Sequence, residues 1–113
     1  MTNDIVEQAE SAINSGNIET ARTLISQMAD GEKFFVESLI FLSESDIQPA
    51  LNSIEKCINA VRRPKARDPV LEARAKMIRG LARTSIGEIT EGGADLRWSM
   101  DRLGAIATGS DEH

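Results

Sequence analysis

Small residues recur at one fixed set of intervals in this 113-residue chain, and that spacing restricts the available folds more than any other feature. It reads Ala9, Gly16, Ala21, Ile25, Met28, then Ser38, Ser45, Ala50, Ile54, Cys57, then Gly80, Gly87, Gly92, Leu96, Ser99. The steps are 7, 5, 4 and 3 each time. Two helices approach closely only where both present small side chains. A tight turn between them favours glycine or a short polar residue. Three small–turn–small triplets, each followed by an apolar filler, therefore predict three antiparallel helical hairpins, about six helices in an all-α fold.

The hydrophobic pattern agrees, because no segment alternates as a half-buried strand does. Ile5, Val6, Ala9, Ala12 and Ile13 form the first stripe, with Asp4 and Glu7 spaced as a capping box. Asn17 can cap a second helix with the stripe Ile18, Ala21, Leu24, Ile25 and Met28, and Asp30 with Gly31 supplies the next break. Phe34 to Leu42 is apolar on nearly every side, the signature of a helix buried between neighbours. Ser45 or Asp46 opens a fourth helix along Ala50, Leu51, Ile54, Cys57, Ile58 and Val61, and Pro64 stops it. After a basic linker, Asp68 and Pro69 restart the chain as N-cap and first helical residue of a helix reaching about Ser85. The sixth helix is expected to run to about Leu103 with Gly104 as its C-cap, followed by a polar tail at 107–113. The hairpins span about 3–30, 32–62 and 68–103 of a single domain.

The shared interval resembles the tetratricopeptide repeat (TPR) family, which places small residues at the eighth, fifteenth and twentieth positions of each helix pair. The resemblance covers about residues 3–103. The family's aromatic near the start of the first helix appears as Phe34, with Ile5 and Lys76 in its place elsewhere. Ala21 and Ala50 are 29 apart and Ala50 and Gly92 are 42 apart, against about 34 in a regular array. The resemblance implies hairpins stacked as a right-handed superhelix whose concave face, lined by the first helix of each pair, holds a peptide. Carried over by position, that groove comprises Val6, Glu10 and Ile13, then Phe35, Leu39 and Leu42, then Arg74, Met77 and Leu81. Family members that clamp a peptide carboxylate use Lys, Asn and Arg where this chain has Val6, Glu10, Val36, Arg74 and Ile78, so only Arg74 fits.

Catalytic chemistry finds little support. Cys57 is the only cysteine and falls on an apolar stripe, where a thiol behaves as a small buried hydrophobe. His113 is the only histidine and the last residue, so a zinc site of nitrogen and sulfur ligands cannot be completed within one chain. Gly92 and Gly93 lack the lysine and preceding strand of a phosphate loop. Close helix packing explains Gly92 better. No enzyme, metal or cofactor is expected, and no membrane segment, since no apolar run is long enough to span a bilayer. A single cysteine and the absence of a leader-like N-terminus point to the cytoplasm.

Charge is uneven. Residues 1–55 balance at −8, residues 56–83 at +7 and residues 84–113 at −4. Lys76, Arg79 and Arg83 form one stripe of the fifth helix, which could meet phosphate or nucleic acid. The acidic whole and the scarcity of aromatics argue against nucleic acid, and favour a stripe that is solvated or answers the acidic segments. The expected function is a non-enzymatic protein-interaction module, an adaptor or small chaperone holding a partner's helical or extended segment. An anionic-ligand binder working through the basic stripe and a homodimeric scaffold are the alternatives.

Overall fold

A computed structural model describes residues 4–108, and side-chain surroundings for 5–107. The capping role read for Asp4, most of the polar tail and His113 lie outside the described side chains. Among the described residues there are six α-helices and no strand: α1 (Asp4–Asn14), α2 (Ile18–Ile25), α3 (Asp30–Ser43), α4 (Ile47–Val61), α5 (Pro69–Ser85) and α6 (Ile89–Thr108). A single 3-10 turn, Pro64–Ala66, lies between α4 and α5.

Consecutive helices pack as pairs, α1 on α2, α3 on α4 and α5 on α6. The turn position of each interval is held in the left-handed region, with φ of 81° at Gly16, 64° at Ser45 and 93° at Gly87. Ser45 thus does at a Cβ cost what glycine does freely in the other two turns. The small positions flanking each turn are buried, Ala9 and Ala21, Ser38 and Ala50, Gly80 and Gly92. At the third crossing a Cβ on Gly80 would lie 2.8 Å from the Gly92 carbonyl oxygen. One on Gly92 would lie 2.4 Å from Thr84 Oγ1. Close helix packing is what Gly92 serves.

The core is aliphatic and centred on α3 and α4. Phe35, Val36, Ile40, Ile54, Cys57 and Ile58 are sealed in it, with Ala9, Ala21, Leu71 and Ala75 closing its sides. Helix α3 touches α1, α2, α4 and α5, which is why its sequence is apolar nearly all round. The buried hydroxyl of Ser38 donates to the Phe35 carbonyl oxygen at 2.6 Å, and Ser99 repeats this toward Leu96 at 3.0 Å.

Several boundaries differ from the sequence reading. Asp30 and Gly31 are not a break but the first turn of α3. Gly31 is buried there, and a Cβ on it would lie 2.6 Å from Val61 Cγ1, so the glycine allows that helix to begin against the end of α4. Helix α2 stops at Ile25, leaving Met28 in the link, although still packed on the core. Asn17 stands at the N-cap of α2 without a side-chain cap bond, whereas Asp68 accepts the Leu71 N–H at 3.1 Å ahead of Pro69. Helix α6 continues through Gly104 instead of ending there, because Ala105 and Ile106 are half-buried and extend its packed side.

Candidate functional site

A cleft of about 740 Å³ opens between α1 and α3. Ile13, Leu39 and Leu42, each half-buried, give it apolar walls; Glu7, Glu10, Ser11, Asn14 and Ser43 give it a polar rim. On α1 the polar members fall at i, i+3, i+4 and i+7, one continuous stripe of a helix whose opposite side enters the core. Sequence reasoning placed Glu10, Ile13, Leu39 and Leu42 at this surface and missed Glu7, Ser11, Asn14 and Ser43. The i, i+3, i+4, i+7 recurrence of short polar and acidic residues on α1 was the signal for Glu7, Ser11 and Asn14; Ser43, at the end of α3, had none.

The remaining groove positions divide. Val6 is 5% exposed and Phe35 1%, so both belong to the core rather than to an open surface. The reason is that α5 closes over α3: Arg74 reaches across to form an ion pair with Glu10 of α1, its guanidinium 5.0 Å from the centre of the Phe35 ring. This pair covers the Phe35 ring. Beyond it lies a second hollow of about 340 Å³ walled by Val6, Glu7, Glu32, Asp68, Val70, Leu71 and Arg74. Met77 and Leu81 line neither hollow.

The basic stripe faces inward, to α4 and α6. Arg79 Nε and Nη2 donate to the two oxygens of Asp95 at 2.9 and 2.8 Å, and its Nη1 donates to Glu55 at about 3.0 Å. Arg83 Nη1 donates to the same Asp95 at 2.9 Å. Lys76 lies 3.7 Å from Glu72 and 3.8 Å from the centre of the Trp98 ring. Arg62 bonds Glu72 at 2.9 Å and Arg83 approaches Glu88 at 3.9 Å. Four cations, Arg62, Lys76, Arg79 and Arg83, thus answer four carboxylates, Glu55, Glu72, Glu88 and Asp95.

Asp95 is the centre of this network and only 8% exposed. Its bonds to Arg79, the largest influence there, raise that guanidinium's pKa further. Burial, and then the charge of Arg62, push the Lys76 pKa down. The sequence reading overlooked Asp95 and Glu55. Asp95 falls with Gly92, Leu96 and Ser99 on one face of α6, and a carboxylate on a packed face must find cations.

Cys57 is fully buried, and burial, aided by the charge of Asp68, raises its pKa to about 12. Such a thiol stays protonated and unreactive near neutrality. Among the described residues no cluster of histidine, cysteine and carboxylate ligands is arranged to hold a metal, and no helix is long and apolar enough to cross a membrane. The chain matches no family model, no curated protein and no solved structure.

Proposed function

We propose that this chain is a non-enzymatic protein-interaction module, an adaptor or small chaperone, that holds an amphipathic helical segment of a partner in the cleft between α1 and α3. The observation that carries the reading is the cleft itself: apolar walls of Ile13, Leu39 and Leu42 under an acidic rim. An incoming helix would bury apolar residues at i, i+3 and i+4 against those walls. Glu7 favours Lys or Arg on the flank of that helix, in keeping with the −8 balance of residues 1–55, while Glu10 is engaged by Arg74.

A TPR-like stacking of the three helix pairs is part of this reading, and the helix contacts are in keeping with it. Each pair's second helix packs on the first helix of the next pair, α2 on α3 and α4 on α5, and the first helices touch in turn, α1 on α3 and α3 on α5. A left-handed residue at the same interval position in all three turns fits a repeated unit. Cytoplasmic residence suits a chain whose one thiol is buried and reduced. The basic stripe has no place in this function, because its charge is engaged by Glu55, Glu72 and Asp95.

The test is affinity purification from the native host with wild-type and Leu42→Glu baits, read by mass spectrometry. Leu42 is half-buried at the cleft, so the variant is expected to keep its helical circular dichroism and lose the captured partner. An identical protein set from two folded baits would overturn the reading.

A further inference from the structure

The exposed large hydrophobic side chains among the described residues are Val70 (43%), Leu81 (51%), Ile86 (44%), Ile89 (61%) and Met100 (65%). All five belong to α5, α6 or the turn between them. On α6, Ile89, Gly93, Met100 and Gly104 fall within about 60° of one another at 3.6 residues per turn. On α5, Val70, Met77 and Leu81 share a stripe on the same side of the helix pair. Arg79, bonded to Asp95, takes the opposite side, toward α4. The third hairpin therefore has one packed, charge-paired side and one apolar side turned to water.

Two glycines on that apolar side have no internal purpose. A Cβ on Gly93 or on Gly104 would meet nothing within 4 Å, yet a glycine inside a helix weakens it. Their placement is self-complementary. One antiparallel register of α6 against a second α6 sets Met100 opposite Gly93 of the other copy and, in the same register, Ile89 opposite its Gly104. The two-fold axis then passes between positions 96 and 97. Each bulky side chain meets a hollow, as an isologous contact requires, and Arg97 at the edge is long enough to keep its charge in water. Two helices side by side are about 20 Å across and α6 is about 30 Å long, of the order of 600 Å² in projection before surface relief is counted. Two such faces sum to about 1,200 Å², the lower end of the range of about 1,200–2,000 Å² that specific interfaces bury in total.

We propose that two copies of this chain associate through the outer face of the third hairpin, α6 antiparallel to α6, with Met100 and Ile89 of each seated over Gly93 and Gly104 of the other. The α6 half of the face shares no residue with the α1–α3 cleft, and the α5 half borders it only through Val70 and Arg74. Sedimentation equilibrium on the full chain from micromolar to several hundred micromolar tests this. A monomer–dimer equilibrium that saturates at two copies is expected. Met100→Glu should weaken it by about tenfold or more. Gly93→Gln should weaken it likewise while raising the thermal midpoint of the dilute monomer, because the new side chain has open space and favours the helix. Leu42→Glu, at the cleft, should leave the dimer constant unchanged. A monomer at every concentration, growth beyond two copies, or an equilibrium indifferent to Met100→Glu and Gly93→Gln would each overturn the inference.

Discussion

In the second helical pair the small positions Ser38 and Ala50 are sealed in the core, and the filler positions after them, Ile54 and Cys57, are 1% and 0% exposed. In the third pair the same interval brings Gly80 against Gly92, and beside the crossing runs a network of Arg79, Arg83, Asp95 and Glu55. One hairpin is thus held by apolar burial and the other by backbone proximity and ion pairs. The interval determines how closely two helices approach; the residues around it determine what holds them there. The middle pair can be apolar because α3 and α4 have neighbours on several sides. The third pair meets neighbours on one side only, and a close Gly–Gly contact leaves little room there for large side chains.

Removing the centre of the network is the sharpest way to break this contrast. Asp95→Ala leaves Arg79, 15% exposed at the side chain, with only Glu55, and Arg83, 24% exposed, with Glu55 and the more distant Glu88, acceptors that are 45% and 51% exposed. Stripping the shared acceptor from partly buried cations should cost about 3 kcal/mol. Urea unfolding of the monomer measures it. A loss within about 0.5 kcal/mol, as for a surface pair, would mean that the third hairpin is held by its glycine crossing alone.

The next effect separates the crossing from the network. Gly92→Ala places a methyl within 2.4 Å of Thr84 Oγ1 and 2.8 Å of the Gly80 carbonyl oxygen. The forced separation of α5 from α6 should cost about 2 kcal/mol. Gly93→Ala, one residue on, meets nothing within 4 Å and should instead gain about 1 kcal/mol of helix stability. Opposite signs at adjacent glycines in thermal denaturation of dilute protein are the expected result, and equal signs would remove the close approach from the account.

Both the hairpin pairing and the Gly92 contact were legible in the sequence, because small residues at fixed steps are a direct record of where backbones meet. The break at Asp30 and Gly31 was misread. Glycine marks a turn and a close contact alike, and only the tertiary position of Val61 decides between them. Of the residues expected in a concave groove, Ile13, Leu39 and Leu42 reach a cleft but Phe35 does not, since nothing local in the sequence says that Arg74 will cross to Glu10. The stripe of Lys76, Arg79 and Arg83 was visible as a stripe and invisible as a network. Its partners, Glu55 and Asp95, lie 24 and 16 residues from Arg79 in the chain.

Alkaline titration sets the two hairpins against each other with opposite signs, one pH unit at a time. In the second, Cys57 is raised from 9.0 to about 12. The unfolded thiol ionises above pH 9 while the folded one keeps its proton, so the folded state loses stability as pH rises from 9 toward 12. The slope is about 1.4 kcal/mol per unit once the unfolded thiol is fully ionised. In the third, Lys76 titrates below its ordinary 10.5. Between that lowered value and 10.5 the unfolded lysine binds more protons than the folded one, so this group makes the fold more stable as pH rises. Wild-type stability measured by urea from pH 8 to 11 should therefore fall, with Cys57 dominant. Cys57→Ala should lower stability at pH 8 by opening a small cavity, and should remove the fall. What remains at high pH is then the shallow rise from Lys76, and Lys76→Met in the same background should flatten it. A fall that persists in Cys57→Ala would place the alkaline weakness outside the apolar hairpin, in the ion pairs of the third.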